Sequence, residues 1–349
     1  MKMKTTLIYS LLAIGSLALF GVTAHAADFE QVLALSTSLE QNPEWAMVAF
    51  VGNIVDKQKI ANFFVGLKTI FHNSLKAEGG DWRKTAMEVP STTKIEDYTW
   101  LNRLAKWRRW IGEKYVKMLS AGNYKIVNED WEVTHELDRN DIEDDTSGHY
   151  ATQVQINAEE ANELYDIISD ELKNGAFVNK CIDGQPYYDT DHPVGEGFYS
   201  NKLTAALSSA TRAAADASIG AALTMMGKYK DSEGMSLRLK GNLLEVPPAL
   251  LATATVLATA EKLDDGSNNP YRNKFEVLEN PGIESDTQWM LHNTKKTIKP
   301  FIIQVRKKPT FVSSDENEFH KRKLEFGAEA RAAGAYGFPQ LSIGSTGQG

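Results

Sequence analysis

The sequence predicts an α+β fold, and three observations predict it. Trp131, Val133, His135 and Leu137 alternate with Glu132, Thr134, Glu136 and Asp138, the strict period of two that marks a half-buried strand. Val154, Ala158, Ala161, Leu164, Tyr165, Ile168 and Leu172 recur at helical spacing. Helical and strand signals along the rest of the chain do not alternate regularly, which argues against a doubly wound parallel sheet. A chain of 349 residues is long enough for two subdomains and a sizeable core.

In chain order, Ile60, Phe63, Phe64, Leu67, Ile70, Phe71 and Leu75 place a helix over Ile60–Leu75, stopped by Gly79-Gly80. Tyr124 and Ile126 open a β run, and Asn128-Glu129-Asp130 reads as a turn into the Trp131–Leu137 strand, making a hairpin. The long helical stripe follows, with Asn157 and Glu160 as a capping box and Gly175 as its stop. A second long helix is expected over Lys202–Met226, before Gly227, and a third over Ala249–Leu263, after Pro247-Pro248. Asp264–Asn269 reads as a loop, Phe275–Leu278 and Gln288–Leu291 as strands. Two further β runs, Phe301–Val305 and Thr310–Val312, flank the basic cluster Arg306, Lys307 and Lys308. A charged helix-or-strand segment and a small-residue tail, Gly327–Pro339, come last, and the sequence shows no internal repeat.

Composition excludes several classes. The single Cys181 forbids an intrachain disulfide and, with no second thiol to resolve it, reads as a packed small residue. The formal net charge of −8 is unlike a dedicated nucleic-acid binder. Sequence-independent affinity for nucleic acid grows with each neutralised phosphate, and a negative balance of this size equally serves solubility alone. Charge is patterned in blocks. Arg103–Lys117 carries six basic residues against one acid; Glu129–Glu171 carries fifteen acids against Arg139 alone; Lys295–Arg331 carries ten basic residues against five acids. Such blocks are solvated faces or, in an assembly, complementary edges that set orientation.

No catalytic constellation appears. His135-Glu136 lacks the second histidine of a zinc-protease motif, its place being taken by Arg139. There is no nucleophile elbow and no phosphate-binding glycine loop, and Gly195-Glu196-Gly197 is a flexible loop. Asp189-Thr190-Asp191-His192 offers two carboxylates and an imidazole, but Pro193 follows directly, and the segment reads as a turn of local hydrogen-bonders. Asp141, Glu143, Asp144 and Asp145 form a solvated acidic strip, because adjacent acids cannot surround an ion. Trp107-Arg108-Arg109-Trp110 interleaves aromatic and basic side chains, a composition that fits stacking on bases or a protein interface. No cofactor and no metal are implied.

Several strings in order resemble one family. They are ANFFVGLKTIFHNSL after Ile60, VPSTTKIEDYTWL (Val89–Leu101), WRRWIGEKYVKMLS (Trp107–Ser120) and ELDRNDIEDD (Glu136–Asp145). CIDGQPYYDTDHPV (Cys181–Val194), LLEVPPALLATA (Leu243–Ala254) and the block Lys299–Leu341 follow. Together they resemble the major head (capsid) subunits of Mu-like phages and prophages, the gpT family, over about Ile60–Leu341. The resemblance implies the Hong Kong 97-type capsid fold: an N-terminal arm, an extended β-hairpin loop, a peripheral domain with a spine helix, and an axial domain. It places the hairpin region at about 100–137 and the spine helix at about 147–175, with peripheral and axial subdomains interleaved in 176–341. It implies a non-enzymatic subunit that self-assembles, as hexamers and pentamers, into an icosahedral shell around double-stranded DNA. A scaffold, a maturation protease and a portal are the implied partners, DNA is held non-specifically, and no membrane is involved. Trp107, Arg108, Arg109, Trp110, the acidic strip and Arg306–Lys308 then read as subunit-interface residues.

Residues 1–26 disagree. Lys2 and Lys4, the apolar run Leu7–Phe20 and Ala24-His25-Ala26 have the form of a secretory signal peptide. The preferred reading is a start placed too early, with Met47 opening the family-like chain and 27–59 an N-terminal extension or arm; a second reading is a propeptide removed during head maturation. The alternative is an exported periplasmic enzyme or binding protein, whose best site would be Asp189–His192.

Overall fold

The computed structural model describes residues 57–75, 80–98, 124–138, 149–314 and 323–349. They fall into two compact units. The first takes residues from 57–75, 133–138, 149–159, 311–314 and 323–328; the second takes 80–98, 124–132, 160–310 and 329–349. The N-terminal segments 1–26 and 27–56, the strip Asp141–Asp145 and the cluster Trp107–Trp110 lie outside the described residues.

In the first unit, α1 (Lys57–Ser74) buries Ile60, Phe64, Leu67 and Phe71, the apolar face that its spacing predicts. Phe71 lies 6.0 Å from Phe311, which stacks 6.1 Å from Phe326, and His135 lies 5.5 Å from that same ring. Asn157, expected as a helix cap, is instead a buried mid-helix residue. Its Oδ1 sits 3.1 Å from His135 Nε2 and accepts from Gln153 Nε2 at 3.4 Å. The helix it belongs to, here α3 (His149–Asn174), therefore begins two turns earlier than a capping box at Asn157 requires.

The second unit starts with α2 (Trp82–Thr85), β1 (Ala86–Pro90), β2 (Ile95–Asp97) and β3 (Lys125–Val127), followed by β4 (Glu129–Asp138), which runs on into the first unit. The expected turn at Asn128-Glu129-Asp130 does not form. β3 pairs antiparallel with β2, while β4 joins a four-stranded sheet in the order β1-β11-β12-β4, where β11 is Phe301–Ser314 and β12 is Lys323–Tyr336. Asn128 is buried between them. Its Nδ2 donates to Ser91 Oγ and Thr93 O, both at 2.9 Å, and its Oδ1 accepts from Gln304 Nε2 at 2.7 Å. These bonds spend its turn-forming side chain on tertiary contacts. Burial along β4 alternates from Trp131 to Leu137 as the period of two predicts.

The two β runs around Arg306–Lys308 are one continuous strand, β11. Lys307 faces Glu329 and Phe311 faces Phe326, so β11 and β12 run in opposite directions. The small-residue tail is not a tail: it is most of β12. Ala330 and Ala332 pack under Leu164 and Ile168 of α3, and a Cβ at Gly334 would lie 2.8 Å from Leu172. Small side chains here let a helix settle close onto the strand.

β5 (His192–Val194), β6 (Gly197–Tyr199) and β7 (Lys202–Leu203) follow α3. The helix expected from Lys202 starts only at Arg212. Thr211 Oγ1 accepts from Ala214 N at 3.1 Å to cap α4 (Arg212–Ala215), which continues through a π-helical turn, Asp216–Gly220, into α5 (Ala221–Lys228). Upstream, Lys202–Leu203 is recruited as a strand beside β13 (Ser342–Ser345). After β8 (Leu243–Val246), a 3₁₀ turn at Pro248–Leu250 leads into α6 (Leu251–Thr259), shorter than predicted. Asn269 ends it: its Nδ2 donates to the carbonyls of Leu257 and Ala260 at 3.0 and 2.9 Å, acceptors that a helix end leaves open, and also reaches Val256 O at 3.2 Å, which already accepts from Ala260 N. β9 (Glu276–Glu279) and β10 (Trp289–His292) complete a five-stranded mixed sheet in the order β7-β13-β10-β8-β9.

One repetition escaped the sequence reading. Three turns close in the same way, with Cys181 N bonded to Gln185 O, Asp231 N to Met235 O and Leu263 N to Ser267 O at 2.8, 2.9 and 2.9 Å. Each carries an acid followed by a glycine at positive φ: Asp183-Gly184, Glu233-Gly234 and Asp265-Gly266. Only glycine takes that conformation without strain.

Candidate functional site

The basic strip lies on β11, where alternation turns Arg306 and Lys308 to solvent. Lys307 Nζ pairs with Glu329 Oε2 at 2.9 Å, Lys308 Nζ with Glu88 Oε1 at 3.5 Å, and Arg306 Nη1 donates to Ser91 O at 3.4 Å. Glu88 also receives Arg83 at 3.2 Å. Exposed pairs of this kind contribute at most about 1 kcal/mol each. The Lys308 side chain stays 74% exposed, so most of its charge faces outward.

His192 is buried, but not among the acids that precede it in sequence. Asp189 Oδ1 accepts from Thr190 N at 2.8 Å, the local turn bond expected of it, and Asp191 is exposed. The imidazole instead sits with its Nδ1 2.6 Å from Asp183 Oδ2 and its Nε2 3.0 Å from Asn201 Oδ1, stacked on Tyr199 with ring centres 5.0 Å apart. Asp183 Oδ1 accepts from Cys181 Sγ at 3.0 Å and from Gln185 N at 3.1 Å. Burial, helped by the neighbouring Asp183 charge, pushes the Cys181 thiol well up. Burial would also raise Asp183, but the bonds from His192 and Cys181 outweigh it and hold the carboxyl below its usual range. Sequence reading missed Cys181 and Asp183 as partners of His192, because a nine-residue separation across a turn and a strand has no periodic signature.

A second buried polar centre joins α3, β8, β10 and β13. Lys173 Nζ lies 2.8 Å from Glu245 Oε1 and 3.2 Å from Asp170 Oδ1. Glu245 Oε2 lies 2.9 Å from His292 Nε2, whose Nδ1 meets Ser342 Oγ at 2.9 Å; Tyr188 Oη is 2.6 Å from the same hydroxyl. Asn280 Nδ2 donates to both Glu245 Oε1 and Asp170 Oδ1 at 2.7 Å. Burial would raise Glu245, yet the Lys173 charge and the His292 contact hold its carboxyl down at about 2. Burial likewise opposes the Lys173 charge, and Glu245 and Asp170 reverse that and raise it. One signal was visible: Glu245 is the lone charge in Leu-Leu-Glu-Val, a strand buried throughout.

Neither centre has the open, convergent layout of an active site: His192, Lys173, Glu245 and His292 all spend their polar atoms on internal partners. The Mu-like prophage major head subunit gpT model matches residues 60–215, 205–283 and 280–348, nearly all of the chain beyond residue 59. The chain belongs to that family. This head subunit is 24% identical over 283 residues to the Mu-like prophage FluMu major head subunit of Haemophilus influenzae, covering 80% of this chain and 70% of the relative. It is 25% identical over 294 residues to the major capsid protein of Escherichia phage Mu, covering 83% and 74%. Among solved structures, the procapsid of bacteriophage JBD30 matches with TM-score 0.52 and 25% identity over 83% of this chain and 76% of that one. The JBD30 capsid matches with TM-score 0.52 and 22% identity over 66% and 99%. The head subunit thus has the capsid fold of the Hong Kong 97 type, and its role is structural rather than enzymatic. The exported-enzyme alternative, which rested on residues 1–26, finds no support in these likenesses. No described helix is long and apolar enough to cross a membrane.

Proposed function

We infer that copies of this head subunit associate as hexamers and pentamers in the host cytoplasm. They close into an icosahedral shell around double-stranded DNA, working with a scaffold, a maturation protease and a portal. The observation that supports this reading most is the family match in consecutive blocks from residue 60 to 348, which covers nearly all of the chain beyond residue 59. The acidic balance supports it too: a chain of net charge −8 gains little from counterion release on DNA, so the shell holds its content by enclosure. Closed symmetry restricts which patches meet, and many modest interfaces then add up.

The edges assigned to these contacts are Trp107, Arg108, Arg109 and Trp110; the acidic strip Asp141, Glu143, Asp144 and Asp145; and Arg306, Lys307 and Lys308. Opposite charge blocks meeting across subunits would set register more than strength. The test is Arg108→Glu with Arg109→Glu in the full chain. The expected result is a subunit with unchanged circular dichroism that forms no shells in negative-stain microscopy. Normal particles from the double variant would remove these residues from the interface; wild-type protein that stays monomeric at high concentration would remove the shell reading itself.

A further inference from the structure

We propose that Cys181, Asp183 and His192 form a binding site for a thiophilic divalent cation, with Zn²⁺ as the ion that the donor set fits. One sulfur, one carboxylate oxygen and one imidazole nitrogen from these residues all lie within 4.8 Å of one another. Thiolate, imidazole and carboxylate are the ligand types that zinc takes, and a soft sulfur beside a nitrogen selects against magnesium and calcium, which prefer oxygen alone.

The surroundings fix which nitrogen is offered. Asn201 Nδ2 donates to the carbonyls of Tyr187 and Pro339 at 2.8 and 3.1 Å, and Asp189 N donates to Asn201 Oδ1 at 2.9 Å. The Asn201 oxygen is therefore the atom facing His192 Nε2, and an acceptor there requires Nε2 to carry a hydrogen. A histidine whose second nitrogen is held this way by a neighbouring acceptor is oriented as metal-ligating histidines are. Nδ1 is left pointing at the Asp183 carboxylate. Two acceptor atoms 2.6 Å apart share a proton, and a metal ion takes that proton's place only once the pair opens. The Cys181 thiol, bonded to the other oxygen of the same carboxylate, supplies the third donor that a proton does not use.

Zinc bonds of about 2.0–2.3 Å space tetrahedral ligand atoms more widely than the 2.6 and 3.0 Å contacts present, so the cluster opens on binding. Asp183 is the member able to move: it sits on the Cys181–Gln185 turn, and its side chain is 18% exposed while that of His192 is fully buried. It also gives the ion its way in. Binding displaces the thiol proton to solvent and any proton shared between Asp183 and Nδ1, leaving a thiolate, a neutral imidazole and a carboxylate on the metal. The ion would pin the turn to β5, a structural role independent of the shell reading above.

The test is a cobalt titration of the full chain after chelator treatment. The expected result is about one Co²⁺ per chain, with a thiolate-to-cobalt charge-transfer band that Zn²⁺ abolishes, and a melting temperature that rises with added Zn²⁺. Cys181→Ser keeps the Asp183–His192–Asn201 bonds; it should stay folded, lose the band and bind Co²⁺ more than about tenfold more weakly. Asp191→Asn, on an exposed neighbour, should bind as the wild type does. A folded wild-type chain without the sulfur band overturns the proposal, whatever the variants do. So does a Cys181→Ser chain that binds Co²⁺ as tightly as the wild type.

Discussion

Lys173 Nζ meets Glu245 Oε1 at 2.8 Å with 3% and 0% of the two side chains exposed. Removing two charges from water is expensive, and the attraction between them repays that only when the remaining lone pairs and protons are also bonded. Here Asp170, Asn280 and His292 do the bonding. Loss of one partner is thus expected to cost more than loss of both. Lys173→Met should destabilise the unassembled subunit by about 3–5 kcal/mol in chemical denaturation, and Lys173→Met with Glu245→Leu should recover much of that.

The same carboxyl sets an acid limit. Its folded pKa of about 2 lies below the ordinary glutamate value of 4.5, so the unfolded chain binds the extra proton first. The stability it confers is complete above about pH 4.5 and is lost as pH falls towards 2. Glu245→Gln should therefore be less stable than the wild type at neutral pH, and the gap should narrow across that window. A gap that stays constant from pH 5 to 2 would show that Glu245 is not held ionised by the fold.

Asn269→Ala removes the donor to the Leu257 and Ala260 carbonyls at the end of α6, while Val256 O keeps its bond from Ala260 N. Buried acceptors left unsatisfied cost about 1–3 kcal/mol. Hydrogen exchange should show the last turn of α6 opening more readily than in the wild type, with α5 unchanged.

At Gly327, an added Cβ would stand 2.0 Å from Val133 O, closer than any real contact. Gly327→Ala must push β12 away from β4, with a loss of about 1–3 kcal/mol of the kind that overpacking causes. Gly184→Ala makes a useful contrast: nothing lies within 4 Å of its added carbon, so its cost comes from the positive φ alone. Paired denaturation curves separate the two mechanisms.

Much of the architecture was legible where a single element's periodicity decided it. The half-buried alternation of Trp131–Leu137 and the buried face of α1 are properties of residues close in sequence. Errors arose where a polar residue has a distant partner. Asn157 reads as a cap, but His135 claims it; Asn128 reads as a turn, but Ser91 and Gln304 claim it. Lys202–Leu203 reads as helix, but β13 draws it into a sheet. His192 was singled out with Asp189 and Asp191, and the fold gives it Asp183 and Asn201. The two buried centres were beyond reach for the same reason: Lys173, Glu245 and His292 converge from three elements, and only the lone acid within an apolar strand pointed to one of them.

The position of β13 between β7 and β10 has a consequence for synthesis. Those two neighbours are made before residues 342–345 and pair with β13 rather than with each other. On the ribosome the five-stranded sheet therefore waits, divided, for the last-made strand. A chain lacking residues 342–345 would leave β7 and β10 without the strand that pairs with both.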